Sequence, residues 1–199
     1  MKKITTLLTA FLFALNSNAT LITVELDKTN VNVGDTITAD IIISDIELDA
    51  GFQKLVASFE FDVMFDDSLL GFVSATFGSK LDVDPFFASD QYIDSFFSGS
   101  VYLSEISYAW SSDLYDAQDA LASFVLASVD FNVIGAGAGT VGLSNSFIGD
   151  DVGGAIEPVT QTGQDFIVSN DNPVNVPEPS TFLLMLMAAA GFVSQRKAR

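Results

Sequence analysis

Leu55-Val56-Ala57-Ser58-Phe59-Glu60-Phe61-Asp62-Val63-Met64-Phe65 decides the fold class. Its residues alternate with period two: Leu55, Ala57, Phe59, Phe61, Val63 and Phe65 share one face, and Ser58, Glu60, Asp62 and Met64 the other. Successive side chains of an extended strand point to opposite faces, so this pattern is a half-buried β-strand and not a helix. Each large side chain buried on such a face contributes roughly 1.5–3 kcal/mol. Asp66-Asp67-Ser68 then reads as a turn that tucks Leu69 and Leu70 under the sheet, ahead of a further strand at 71–77.

The same period extends in both directions. Towards the N-terminus, Ile22, Val24 and Leu26 alternate with Thr23, Glu25 and Asp27, and Ile37, Ala39, Ile41 and Ile43 point inward from a strand at 36–44. Residues 30–35 between them read as a turn, and the acid-rich 45–51 as a loop. Towards the C-terminus, Val101, Leu103 and Glu105 alternate with Tyr102, Ser104 and Ile106. Residues 110–122 read as a loop with one helical turn around 114–121. In the strand at 123–134, Phe124, Leu126 and Ser128 are expected to face away from Val125, Ala127, Val129, Phe131 and Val133. Gly135-Ala136-Gly137-Ala138-Gly139 reads as a turn, and it lacks the lysine of a phosphate loop. Short strands at 140–146 and 166–169 bracket an Asp/Gly-rich loop. Eight or nine short strands and almost no helix imply an all-β, two-sheet sandwich or jelly roll.

Residues 78–99 break the pattern. Asp82, Asp84, Asp90 and Asp94 are interleaved there with Phe86, Phe87, Tyr92, Phe96 and Phe97, without strand periodicity. A loop of this length is usually functional or mobile. With Trp110 these aromatics are the candidate ligand-contact residues, placed to stack on sugar faces. Phenylalanine is more often buried than exposed, so the four Phe rings are expected to pack back over the sandwich. Calcium, which asks for six to eight oxygens, has candidate structural positions at Asp45/Glu47/Asp49, Asp82/Asp84, Asp113/Asp116/Asp119 and Asp150/Asp151. None matches an EF-hand loop; solvated turn acids are the expected reading, and no cofactor is expected.

The two ends carry signals of a different kind. Met1-Lys2-Lys3 is a basic start, residues 4–15 are apolar, and Ser17-Asn18-Ala19 supplies small residues for signal peptidase, with cleavage expected between Ala19 and Thr20. The body is then 20–170, followed by a linker at 171–175 and a tail at 176–199. In the tail, Val176-Pro177-Glu178-Pro179-Ser180 forms a rigid hinge, 181–193 an apolar run, and Arg196, Lys197 and Arg199 a basic stop. As a helix the apolar run reaches about 20 Å against about 30 Å of hydrocarbon, which suits a transient membrane stop.

Charge and composition narrow the chemistry. The chain holds 8 basic and 26 acidic residues for a net charge of −18; without the two end segments the body keeps three lysines against 25 acids. Such a surface repels nucleic acid and anionic lipid and attracts basic partners and divalent cations. The absence of Cys and His excludes thiolate nucleophiles, disulfides, imidazole bases and ordinary zinc sites. Carboxylates are plentiful, yet nothing singles out a pair positioned as acid and base, so a glycoside hydrolase is the weakest reading.

Two resemblances follow from these residues. The tail Val176-Pro177-Glu178-Pro179-Ser180-Thr181, its short apolar helix and its basic end resemble the PEP-CTERM sorting signal. That resemblance implies processing by an exosortase, a membrane protease or transpeptidase of Gram-negative bacteria that make extracellular polysaccharide, acting near Pro177 to Pro179. The run from Phe59 to Leu70 followed by Phe72-Val73, with Val33-Gly34-Asp35 before it and Ala122 to Phe131 after it, resembles the cohesin fold and its carbohydrate-binding-module relatives. It implies a module that binds protein or polysaccharide and does not catalyse. The expected protein is an exported, non-catalytic component of the cell envelope, outer surface or extracellular matrix; the alternative is a carbohydrate-binding module.

Overall fold

The computed structural model describes residues 19–170 apart from 50, 120 and 158. Two units divide the chain, Met1–Ser169 and Asn170–Arg199, and every described element lies in the first. The sorting motif, the basic stop, the linker and the signal segment before Ala19 lie outside the described residues.

The first half of the body holds β1 (Thr20–Leu26), β2 (Asn30–Asn32), β3 (Thr36–Ser44), β4 (Leu48–Asp49), β5 (Phe52–Gln53), β6 (Val56–Met64) and β7 (Leu70–Phe77). The second half holds β8 (Asp90–Asp94), β9 (Ser100–Ile106), α1 (Ser111–Gln118), β10 (Ser123–Val133), β11 (Gly137–Asp150), β12 (Val159–Thr162) and β13 (Gln164–Ser169). One sheet runs β12-β1-β3-β10-β7, the other β2-β13-β11-β6-β9-β8, and β4 and β5 form a separate hairpin. Pairing is antiparallel except where β12 joins β1 and β2 joins β13 at the sheet edges. This is the all-β, two-sheet sandwich expected from the sequence.

Its core lies between the inward rows of the two sheets. Ile22 and Val24 of β1, Ile37 to Ile43 of β3 and Val129 and Phe131 of β10 meet Phe59, Phe61 and Val63 of β6, Val101 and Leu103 of β9 and Phe166 of β13. Phe59 stacks on Phe61 with centroids 4.9 Å apart. The turn after β6 behaves as read: the Asp66 carboxylate accepts the Ser68 N–H and hydroxyl, and Leu69 and Leu70 are buried. These bonds to Ser68 hold the Asp66 carboxyl below its ordinary value.

Four register shifts interrupt the ladders; one, in β11, sets Asn145 and Ser146 against Phe61, and the other three bear on residues read from the alternation. In β6 the register slips between Ser58 and Val56, so Val56 is buried, and Leu55 and Ala57 are not core residues as the alternation predicted. In β10 the extra residue is Leu126, between Val125 and Ala127. Phe124 and Leu126 therefore join Ala127 and Val129 inside, against the expectation that they face away. The third, in β7, leaves Val73 without a partner between Phe72 and Ser74. A bulge shifts the phase of period two, so every side chain beyond it changes face relative to a straight extrapolation.

Other differences concern length. Residues 30–35 begin with β2 before a turn in which Gly34 adopts φ +98°, and 45–53 contain the β4–β5 hairpin. The helical turn expected near 114–121 is the two-turn helix α1, and the strand expected at 140–146 is the longer β11. The buried Gln118 at the end of α1 ties three segments together. Its Oε1 accepts the Val56 N–H at 2.8 Å, and its Nε2 donates to the carbonyls of Val56 at 2.7 Å and Lys80 at 3.0 Å. Gln118→Ala is expected to leave a buried donor and two acceptors without partners and to cost roughly 1–3 kcal/mol. A chemical denaturation midpoint unchanged from wild type would contradict this role.

Candidate protein-binding face

The outward face of β11, β6, β9 and β8 lies on the side of the second sheet turned away from the core. The bulge-free part of β6 sets its order. Strand register places Asp62 beside Tyr102, Glu60 beside Ser104 and Ser58 beside Ile106. On the far side of β9, Tyr92 pairs with Ser104, Asp94 with Tyr102 and Asp90 with Ile106. On the far side of β6, Phe147 pairs with Glu60 and Ser144 with Asp62. Met64, Tyr92, Ile106 and Phe147 are all exposed there.

Polar contacts hold this surface in shape. The Tyr102 hydroxyl donates to Glu60 Oε2 at 2.9 Å, and the Tyr92 ring meets Tyr102 edge-on at 6.2 Å. Burial first, and then the bond to Glu60, push the Tyr102 hydroxyl up from its ordinary value, so it remains a donor across the physiological range. Asn145 adopts φ +51°, a left-handed conformation that Asn tolerates, and its Nδ2 donates to Asp62 Oδ2 at 2.7 Å. The face thus alternates apolar side chains with Glu60, Asp62, Asp90 and Asp94. The lysines of the described body stand elsewhere: Lys28 follows β1, Lys54 precedes β6 and Lys80 follows β7.

The candidate aromatics are divided by the structure. Phe86 and Phe87 lie in the loop before β8, Tyr92 is on β8, Phe96 and Phe97 follow it, and Trp110 precedes α1. Phe86, Phe87 and Phe96, Phe97 therefore occupy opposite ends of β8. The expectation that these rings pack back over the sandwich is wrong: Phe86 is 85% exposed, Phe96 84% and Trp110 76%. The interior is already filled by Phe59, Phe61, Phe131 and Phe166, and within 78–89 it is Leu81 that is buried. Local turns fix the outward pose. Asp84 Oδ1 accepts the N–H groups of Phe86 and Phe87, and Asp94 Oδ1 that of Phe96. Phe96 and Phe97 stand edge to face at 89°, so the two rings do not form one continuous flat platform. Between β7 and β8 a groove of about 580 Å³ is lined by Ala75, Thr76, Phe77, Gln91, Tyr92 and Ile93.

Two of the acid clusters meet across an ammonium group. Lys54 Nζ lies 2.7 Å from Glu47 Oε2 and 4.0 Å from Asp150 Oδ2. The hydrogen bond from Lys54 holds the Glu47 carboxyl below its ordinary value. Asp82 and Asp84 are occupied by backbone N–H groups, and Asp113 and Asp116 lie on α1, with Asp119 just after it. Among the described residues no three acidic side chains converge as a metal site. At the expected signal cleavage point, Thr20 opens β1 and is buried, its hydroxyl accepting the Glu47 N–H at 3.0 Å.

Comparison with known families matches residues 22–164 to the cohesin domain. The chain belongs to the cohesin family. Residues 175–197 of this cohesin match the PEP-CTERM protein-sorting motif. Among curated proteins none matches the chain. Its fold is similar to that of the second type II cohesin module from the adaptor ScaA scaffoldin of Acetivibrio cellulolyticus. That match has a TM-score of 0.58 at 21% identity and covers 81% of this chain and 98% of the other. A non-cellulosomal cohesin from the archaeon Archaeoglobus fulgidus is similar at 0.56 and 14%, covering 78% and 94%. The sixth cohesin of scaffoldin B of Acetivibrio cellulolyticus, solved in complex with a mutant Cel5 dockerin, is similar at 0.53 and 17%, covering 77% and 99%.

Proposed function

We propose that this cohesin is a non-catalytic binding module of the bacterial cell surface, exported and sorted through its PEP-CTERM tail, that holds a protein partner on the outward face of β11, β6, β9 and β8. The observation that carries the reading is the composition of that face: exposed Tyr92, Ile106, Met64 and Phe147 set among Glu60, Asp62, Asp90 and Asp94. Aromatic and methionine side chains at the centre of a polar surface are the usual anchors of protein interfaces. The acids select a partner with basic side chains and make its capture dependent on salt. A cohesin of similar fold solved with a dockerin supports protein as the ligand class. The PEP-CTERM match supports exosortase as the processing enzyme, with a transient stop in the membrane and final display at the surface or in the matrix of a Gram-negative cell.

The test is retention of host surface proteins by the immobilised full chain. Tyr102→Ala is expected to weaken capture of a discrete protein at least about tenfold, the size of a hot-spot loss, while Ile167→Ala, on β13 of the same sheet, leaves it unchanged. Equal retention by both variants would contradict the assignment of the face. A second reading, a polysaccharide ligand, is favoured by the exposure of Phe86, Phe87 and Trp110. A glycan array signal lost in Trp110→Ala and kept in Tyr102→Ala would support it.

A further inference from the structure

Glu105 occupies a core-facing position on β9, between the buried row of Val101 and Leu103 and the end of the strand. It is fully buried. Its Oε1 accepts hydrogen bonds from the Ser89 hydroxyl at 2.6 Å and from Gln91 Nε2 at 2.9 Å, and its Oε2 has no hydrogen-bond partner. Each element packed around it contributes an identifiable group. From the loop before β8 come Asp82 and Ser89, with the Ser89 N–H bonded to Asp82 Oδ1 at 2.8 Å. From β8 comes Gln91, and directly across on β6 stands Phe59. The charged side chain that acts on Glu105 is Asp82, and it is of like sign.

The segment that covers Glu105 is otherwise held at Leu81 and along the β8–β9 ladder. Leu81 is buried and its carbonyl accepts the Ser107 hydroxyl, while β8 is an edge strand bonded to β9 alone. Edge elements with exposed backbone open at lower free energy than the core. A protonated Glu105 is neutral, keeps both bonds at Oε1 and leaves only an uncharged Oε2 hydroxyl without an acceptor, which costs less than a buried charge. An ionised one leaves a charged oxygen without a donor beside Asp82, a cost that water relieves only if β8 lifts.

We propose that Glu105 is a pH-sensitive latch: protonated it closes residues 82–94 over the open side of the sandwich, and ionised it loosens β8. Because β8 carries Asp90, Tyr92 and Asp94, the latch regulates the binding face, and to that extent it rests on the reading given above. Burial raises the carboxyl above its ordinary value, against the pull of the bonds from Ser89 and Gln91. For an acid raised in the closed state, the stabilisation is complete below the ordinary carboxylate range. It is lost as pH rises through the closed-state value.

The experiment is amide hydrogen exchange on the free full chain between about pH 4 and about pH 8, corrected for intrinsic rates and read on β8 against β3. Protection of β8 is expected to fall roughly tenfold or more with rising pH, the scale of one unpaired buried charged acceptor, while β3 does not change. In Glu105→Gln the fall disappears. Should that variant fail to fold, Ser89→Ala removes a donor to the carboxylate and is expected to carry the decline to higher pH. A flat wild-type profile, or the same profile in Glu105→Gln or in Ser89→Ala, would overturn the latch. So would protection of β8 that rises on adding calcium and is lost in Glu105→Gln, since Oε2 would then be a metal ligand. The readout needs no partner, so failure of the latch and failure of the partner reading are separable.

Discussion

Phe61→Ala is expected to destabilise the body by about 3–5 kcal/mol, read as a lower urea midpoint. Phe61 sits in β6, an interior strand of the second sheet flanked by β11 and β9, and it is fully buried. Its ring lies 4.9 Å from that of Phe59 at an angle of 11°, so truncation removes both the transfer energy of the ring and a stacked neighbour. The surrounding wall is built of strands bonded on both sides, which collapse poorly into a cavity. Domain stabilities run to about 5–15 kcal/mol, so a loss of this size leaves a marginal fold. A shift below about 1 kcal/mol would mean that the space refills and that the core is less tightly ordered than its contacts imply.

Gly78→Ala is expected to cost about 3 kcal/mol or more for a different reason. A Cβ at Gly78 would lie 1.9 Å from the Val125 carbonyl oxygen and 2.9 Å from its carbon, and both are backbone atoms. That carbonyl belongs to the β10 bulge, and the Gly78 N–H bonds to Leu126 O at 2.8 Å in the same place. The bulge cannot move without displacing the buried Leu126 and Ala127. Gly142→Ala is the control: its Cβ would meet nothing within 4 Å, and the change is expected to be neutral or slightly stabilising. Equal effects at the two glycines would contradict the close approach at Gly78.

The bulges also mark the limit of what could be read from the sequence. Long strands with one buried face were legible because alternation is enforced by the core: β1, β3, β6 and β9 all show it. The phase shifts at Ala57, Val73 and Leu126 were not, since an extra residue in an apolar run looks like a continuation of it. The short strands β2, β4, β5 and β12 carry two to four residues each, too few for a period to register. β8 was hidden among the Asp residues that terminate it.

For the binding face, Glu60, Asp62 and Met64 were assigned to the outer side of their strand, yet its neighbours across β8 and β11 depend on pairing that no local pattern reveals. Residue preference misplaced Phe86, Phe87, Phe96 and Phe97, because hydrophobicity reports an average and the Asp84 and Asp94 turns decide each case. The inward position of Glu105 followed from alternation with Val101 and Leu103. Its partners, brought from 14 and 16 residues away, did not.

The most direct test of the account is photo-crosslinking on the surface of living host cells, with the reactive group placed at Ser104, which lies between Glu60 and Tyr92 on the face, and, as control, at the exposed Glu25 on the first sheet. A discrete protein adduct from position 104 and none from position 25 is the predicted result. No protein adduct at 104, or the same adducts from both positions, would contradict a protein-binding face on β11, β6, β9 and β8.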